Sequence, residues 1–375
     1  MANTKIYSLN VRGIRDTVKR RQLFQKFHNS NYDIFMIQEA HCTPEVTSQW
    51  SSEWGGEIFF SHGTSNSKGV CILFKNSVSR TIHKCEQVEG RALFLDITIN
   101  NTKFTLSNIY APNQDDVDFF INICNILETI GNDLMVVGGD YNCVLDINID
   151  KKGGLPQTHT NSVQFLQTWM EENDMIDIYR KSHPMVLKYT WARRGGNAPV
   201  FCRLDFYLIS YALCDKVKTV DIKPGFLTDH SAVTLELELY SNPRGPGFWK
   251  FNVSLLSDPT YVNLVKNTIA TTSLDLINVN PLLKWETMKT IIRGETIKYA
   301  SRKKRKGKET ISKLEQEIEE LQSQVTLHPN DNNYSNDLES KRLELENYVS
   351  QMTKGSMIRS RARWIEFGEK STKYF

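Results

Sequence analysis

A chain of 375 residues, 40% hydrophobic and 24% charged, is long enough to bury a large core and to hold more than one domain. No run reaches the roughly 18 to 20 apolar residues of a membrane span, and the opening MANTKIYSLN lacks the basic and apolar regions of a secretory leader, so neither membrane insertion nor secretion is expected. Seven scattered cysteines without a C-x-x-C pair suit a reducing compartment and argue against a zinc knuckle. The net charge of +3 is uneven: residues 1–240 hold 24 Lys and Arg against 27 Asp and Glu, the remainder 22 against 16. That asymmetry suggests an enzyme joined to a segment that meets a polyanion.

In chain order, the first apolar run is KIYSLNV (5–11), which delivers Asn10 and then Arg12. An Asn at a strand end is ordinarily a turn residue. A helical period over 16–29 precedes YDIFMIQEA (32–40), which terminates in Glu39. An exposed carboxylate is the ordinary reading there; a Mg²⁺ ligand is the functional one, because Mg²⁺ takes one or two carboxylates plus water. GVCILFK (69–75), ALFLDITI (92–99) and KFTLSNIYAP (103–112) follow. The last puts Tyr110 just before a turn, as a rim tyrosine or as a phenol for a phosphate oxygen.

A second helical period (116–130) leads into LMVVGGDYN (134–142), a short buried strand ending in glycines. Asp140 and Asn142, two residues apart, are expected on one face at the sheet rim. One would take a proton from water, the other hold that water or a phosphate. A third helical period (160–172) is followed by FCRLDFYLIS (201–210), with Asp205, and by SAVTLELEL (231–239), entered through Thr228-Asp229-His230. A lone His is more often a satisfied structural residue. An Asp on one ring nitrogen would instead fix its tautomer and favour the imidazolium, a cation suited to a pentacovalent phosphate. Strands that alternate with helices in places and follow one another directly elsewhere predict an α/β sandwich rather than a doubly wound sheet.

The Pro/Gly-rich stretch 241–247 reads as a linker. Beyond it, Ile311, Leu314, Ile318, Leu321 and Val325 keep a 3-4 spacing, and Leu338, Leu345 and Met352 a seven-residue one, on either side of HPNDNNYSN (328–336). The reading is an antiparallel helical hairpin or short coiled coil, with self-association through 308–352 or a partnerless polar helix pair both open. Arg302, Lys303, Lys304, Arg305 and Lys306 form a run of cations: a solvated face, a nuclear-import tract or a nucleic-acid backbone contact. Expected boundaries are 1–240, a connector at 241–300 and a basic helical segment at 301–375. The basic turns with Lys151 and Lys152 and with Arg193 and Arg194 are solvent-exposed loops or DNA contacts.

Jointly, the order N…QE…Y-A-P…GDxN…LD…DH resembles the endonuclease/exonuclease/phosphatase superfamily, the fold of DNase I and of apurinic/apyrimidinic endonucleases. LNVRG, IQEAH, NIYAPN, GGDYNCVL, DIYR, YTW, RLDFYLIS and LTDHSAV look like the endonuclease of LINE-type non-LTR retrotransposons. GPGFWKFN (245–252) and RSRARWIEFGEKSTKYF (359–375) look like the approach to the RNA-directed DNA polymerase of such an element, which would make this chain a fragment or truncated copy. The resemblance implies a four-layered α/β sandwich, two packed mixed β-sheets flanked by helices, followed by a mainly helical basic extension. It implies a Mg²⁺-dependent DNA endonuclease, with Mn²⁺ as substitute, that nicks one strand of duplex DNA in the nucleus and leaves a 3′-hydroxyl for target-primed reverse transcription. The basic tail would hold element RNA.

Carried across by residue, Glu39 would be the principal metal ligand with Asn10 and Asp229 nearby, and Tyr110 would touch the scissile phosphate. Asp140 would deprotonate the attacking water, Asn142 would hold it, and Asp205 would fix His230. Thr190 and Thr228 match positions with hydroxyls near DNA. Arg12 stands where repair relatives carry an Asp, which favours a single metal and frees Arg12 for DNA. Two alternatives remain: an inactive relic that binds nucleic acid, and an abasic-site repair endonuclease of the same fold.

Overall fold

The computed structural model describes residues 3–154, 159–193, 199–239, 251–277, 279–328 and 331–367, with side chains through Ser350 apart from Lys304 and Lys308. The strands begin with β1 (Thr4–Asn10), β2 (Ile34–Gln38), β3 (Glu57–Ser61), β4 (Val70–Phe74) and β5 (Arg80–Val88). Next come β6 (Ala92–Ile99), β7 (Thr102–Tyr110), β8 (Met135–Asp140), β9 (Lys151–Lys152) and β10 (Met175–Asp177). The last are β11 (Trp191–Arg193), β12 (Val200–Cys202), β13 (Asp205–Ser210), β14 (Val217–Lys223) and β15 (Ala232–Leu237). The helices are α1 (Thr17–Asn29), α2 (Thr47–Trp54), α3 (Val117–Ile130), α4 (Thr160–Glu172) and α5 (Ile178–Ser182). Beyond the strands lie α6 (Pro259–Asp275), α7 (Pro281–Leu327) and α8 (Asn332–Phe367).

Two mixed six-stranded sheets form, in the orders β14-β15-β1-β2-β4-β3 and β10-β13-β8-β7-β6-β5, beside a small sheet β11-β12-β9. Their inner faces share one core, in which Ile6, Met36 and Ile72 of the first sheet cluster with Leu95, Leu106, Val136 and Tyr207 of the second. On the outer face of the second sheet, Phe120, Ile123 and Leu127 of α3 and Leu166 and Trp169 of α4 pack over Phe94, Val137, Phe206 and Leu208. On the outer face of the first, Phe27 of α1 stacks on Phe35 with ring centroids 4.2 Å apart, and Trp54 of α2 meets the same ring edge-on. Helix, sheet, sheet, helix: this is the four-layered sandwich. Local signals agree with it, since Asp16 and Asp116 cap α1 and α3 by accepting the backbone N–H of Lys19 and Phe119.

FCRLDFYLIS, expected as one strand, is two: β12 joins the small sheet and β13 the second large one. The chain divides into two compact units, residues 1–243 with 318–353, and residues 244–317 with 354–375. The second unit has its own buried polar tie, Tyr261 Oη to Thr296 Oγ1 at 2.7 Å, and an ion pair between Asp258 and Lys303. Among the described residues, no helix is long and apolar enough to cross a membrane. The expected linker at 241–247 lies outside the described residues, as do residues 368–375 of the final motif.

Candidate active site

The site is built where strands of both large sheets end together. Gly139 has φ 141°, and a Cβ there would lie 2.0 Å from the Ile109 carbonyl oxygen; one on Gly138 would lie 2.4 Å from the Tyr207 ring. Two glycines therefore let β8 press between its neighbours. The register then sets Asp140 opposite Tyr110 on parallel β7 and opposite Asp205 on antiparallel β13. In the first sheet β1 and β2 run parallel with Asn10 opposite Gln38, so Asn10 and Glu39 emerge side by side.

A buried polar network ties the two sheets beneath this rim. Gln38 Nε2 donates to Ser8 Oγ at 3.0 Å and to Asn108 Oδ1 at 2.6 Å, while Asn108 Nδ2 donates to the carbonyls of Ile37 and Cys71 at 2.9 and 2.8 Å. Sequence reasoning missed this trio, although a polar side chain inside an apolar run was the available signal.

At the rim, Asn10 Nδ2 donates to Glu39 Oε1 at 2.9 Å and to Asp140 Oδ2 at 2.8 Å, bridging the two carboxylates across the sheets. Its Oδ1 accepts the Arg12 N–H at 3.0 Å, which orients the carboxamide with its NH₂ toward the site. Tyr110 donates to Glu39; burial first, and then the Glu39 and Asp140 charges, raise its phenol above the ordinary value, so it stays protonated. His230 Nδ1 lies 2.9 Å from Asp205 Oδ2. Burial opposes the imidazolium, but Asp205 by charge and hydrogen bond, with Asp140 and Asp229 behind it, pushes the ring up to about 10. Asp140 is pushed up to about 7 by burial and then by Asp205, against the pull of His230, Asn10 and the Asn142 N–H.

Asn142 does not share a strand face with Asp140. The strand ends at Asp140, and Asn142 sits at φ 50°. Its backbone N–H turns back to Asp140 Oδ1 at 2.9 Å, and its Nδ2 donates to the Ala111 carbonyl at 2.8 Å. Arg12 (φ 48°), Glu39 (φ 49°) and His41 (φ 56°) are also left-handed. Such strain in side-chain-bearing residues collects at functional sites.

The residues expected at DNA divide. Arg12 is exposed but paired with Asp229 at 2.9 Å, and Arg193 is exposed. Thr190 is buried, its hydroxyl accepting the N–H groups of Leu204 and Asp205 at 2.9 and 3.1 Å, so it holds β13 rather than facing solvent. Thr228 donates to the Asn10 carbonyl at 2.8 Å, linking the loop before β15 to the end of β1. Lys151 and Lys152 form β9, and the Lys152 ammonium is directed at the Thr326 carbonyl in the last turn of α7. Arg194 and the Lys304 side chain lie outside the described residues. Arg302, Lys303, Arg305 and Lys306 project from α7 into solvent, Lys303 against Asp258 and Arg305 3.5 Å from Glu309. Leu314, Ile318, Val325, Leu338 and Leu345 of the expected helical seam are buried.

One acidic grouping and two further carboxylates bear on metal binding. Ligand atoms of Asp140, Asp205 and His230 lie within 4.8 Å of one another and form a possible metal site. The Asp205–His230 hydrogen bond already occupies that imidazole nitrogen, and a ring pushed up to about 10 is a cation, so this trio suits proton transfer better than ligation. Glu39 is a better carboxylate for a hard cation. On the loop before β15, Asp229 Oδ1 is buried and accepts no hydrogen bond among the described residues, a lone pair open to a metal or its water. Asn10 offers this place a donor, not a ligand oxygen.

This architecture has known counterparts. The endonuclease/exonuclease/phosphatase family profile matches residues 7–230, from β1 to His230. The chain belongs to that family. Over 267 residues it is 28% identical to the "Transposon TX1 uncharacterized 149 kDa protein" of Xenopus laevis, a match covering 70% of this chain and 20% of that relative. The chain thus spans about a fifth of the relative's length. In fold this family member resembles an AP endonuclease from Archaeoglobus fulgidus, with a TM-score of 0.51 at 18% identity over 63% of this chain and 99% of that one. It also resembles the 3′ phosphatase NExo from Neisseria bound to product DNA hairpin, with a TM-score of 0.50 at 19% identity over 63% and 99%.

Proposed function

We propose that this chain is the metal-dependent DNA endonuclease of a LINE-type non-LTR retrotransposon, cutting one strand of intact duplex to leave a 3′-hydroxyl. One observation carries the chemistry: a protonated His230 backed by Asp205 stands within reach of an Asp140 carboxylate that Asn10 bridges to Glu39. Similarity to a transposon protein supports the biological setting, and a basic run on α7 supports contact with a nucleic-acid backbone, the element's RNA included. Acting on chromosomal DNA places the work in the nucleus.

In the reaction, Asp140 takes a proton as water attacks phosphorus; the bond to the 3′ oxygen breaks with its electron pair on that oxygen, which takes a proton from solvent water, giving a 5′-phosphate and a 3′-hydroxyl. His230⁺, Tyr110 and the Asn10 NH₂ donate to the non-bridging oxygens, where charge develops. Glu39 and Asp229 would hold Mg²⁺, which would supply further neutralisation of that charge. A 3′-hydroxyl is what a polymerase extends, which fits priming at the break.

The test is nicking of supercoiled plasmid with Mg²⁺, comparing the parent with Asp140→Ala. Open-circular product from the parent, reduced by at least about a thousand-fold in the variant, is expected, since groups acting as one constellation fail together. Strong preference for an abasic oligonucleotide over intact duplex would replace this reading with a repair enzyme. Nucleic-acid binding with no cleavage of either would make the chain an inactive relic.

A further inference from the structure

Beneath the rim the two large sheets are joined a second time, one side-chain repeat down the strands. Ser8 precedes Asn10 by two residues on β1, Asn108 precedes Tyr110 by two on β7, and Gln38 ends β2 beside Glu39. Residues two apart on a strand share a face, so this layer lies directly below the groups of the site, and all three of its members are buried. Asn108 commits its whole carboxamide across the gap. Its Nδ2 donates to the carbonyls of Ile37 and Cys71, at 2.9 and 2.8 Å, the residue pair that closes the β2–β4 ladder. With both amide hydrogens on carbonyls, Oδ1 is left to accept, and Gln38 Nε2 donates to it at 2.6 Å. Gln38 Nε2 also donates to Ser8 Oγ at 3.0 Å, which carries the tie on to β1. One side chain of the second sheet therefore holds both β2 and β4 of the first.

We infer that Asn108 is a positioning residue for phosphodiester cleavage: it keeps the strand that delivers Glu39 in register with those that deliver Tyr110 and Asp140. The inference rests on the nuclease reading above. Asn10 bridges Glu39 and Asp140 with its two amide hydrogens. Donating either one to a phosphate oxygen loosens that upper tie just when placement matters most. The apolar side chains of the shared core attract without direction, so they resist separation of the sheets more than sliding. The directional bonds of Asn108 oppose the slide. A misplacement of about 1 Å can cost a hundred-fold in rate. Asn108 touches no substrate and acts only through the strands it joins.

Nicking kinetics of the full chain carrying Asn108→Leu or Gln38→Met test this. Ser107→Ala is the control, since Ser107 is the buried neighbour on β7 and its hydroxyl has no partner among the described residues. Asn108→Leu removes all three ties to the first sheet, Gln38→Met only those made through Gln38. The expected kcat is lower by about ten-fold to a hundred-fold in Asn108→Leu and by roughly three-fold to ten-fold in Gln38→Met, with KM for plasmid unchanged in both. Ser107→Ala should match the parent. The side-chain amide signals of Asn10 in NMR should move in both variants, further in Asn108→Leu, and stay in place in Ser107→Ala. A folded Asn108→Leu protein with parent-like kcat would overturn the inference while leaving the nuclease reading intact. Should that variant fail to fold, Gln38→Met decides, and a parent-like kcat there has the same consequence. An inactive parent would overturn the nuclease reading instead; unmoved Asn10 signals in Gln38→Met would then overturn the role of Asn108 as well.

Discussion

Asn10 shows how much one side chain decides. Its carboxamide spends both NH₂ hydrogens on carboxylates of opposite sheets, Glu39 and Asp140, and its oxygen on the Arg12 N–H. An Asp at this position would set three carboxylates together, and an Ala would leave two acids facing each other without a donor between them. The same crowding governs titration. The proposed cleavage needs Asp140 ionised and His230 protonated; their values of about 7 and about 10 predict a bell-shaped rate. The rate should fall as pH drops below about 7, with a bound cation at Glu39 moving that limb lower, and fall again as pH rises through about 10. The sign for stability differs. With His230 raised from 6.5, the Asp205–His230 pair contributes fully below about 6.5 and is lost as pH rises through about 10. Nicking rates across pH 5 to 11, with Asp205→Asn to lower the alkaline limb, check both groups; a flat profile would remove Asp140 from the role of base.

Elements at the centre of each sheet were legible, and those at the edges were not. β1, β2, β4, β6, β7, β8 and β15 follow from runs rich in apolar residues, because a central strand is largely buried on both faces. The edge strands β3, β5, β10 and β14 carry no such run; RTIHKCEQV of β5 is largely exposed, as edges that avoid pairing with other chains tend to be. Site residues were legible for a related reason: Asn10, Glu39, Tyr110, Asp140 and His230 each stand where an apolar run meets a turn. Thr190 was misplaced because a motif position says nothing about which way a hydroxyl faces. Arg203 was seen only as a neighbour of Asp205. It is in fact fully buried, with Nε and Nη2 on Asp150 at 2.7 Å each and Asp177 also at Nη2, so it joins the turn after β8 to the start of α5. Replacing it with Met removes the main partner of buried Asp150 and a partner of half-buried Asp177, leaving Arg180 as the remaining cation, and a loss of about 3–5 kcal/mol is expected. Urea denaturation of Arg203→Met measures this; a change under about 1 kcal/mol would mean that Arg180, which also reaches Asp150, suffices alone.

At the scale of the molecule, the nuclease chemistry and its support come from distant parts of the chain. Every group in the proposed mechanism lies before residue 240, so a chain ending there should still cut DNA. Yet Val325 is buried, and it lines a cavity of about 50 Å³ with Trp191, Phe201 and Asp229 on the nuclease side and Gln322, Thr326 and Arg342 on the helices. Lys188 reaches both Asp221 and Glu319, and Lys152 reaches the end of α7. Partly exposed polar contacts of this kind each contribute little, whereas a buried valine contributes about 1.5 to 3 kcal/mol. Apolar burial therefore carries most of the docking, and the ion pairs set its register. Truncation at residue 240 should lower the thermal midpoint by roughly 4–8 °C, the shift expected for about 2 kcal/mol in a domain of this size. Differential scanning calorimetry at two salt concentrations separates the contributions: a deficit that persists at 1 M NaCl identifies the apolar contact, one that vanishes identifies the ion pairs. Equal midpoints at both would show that residues 318–353 add nothing to the nuclease fold.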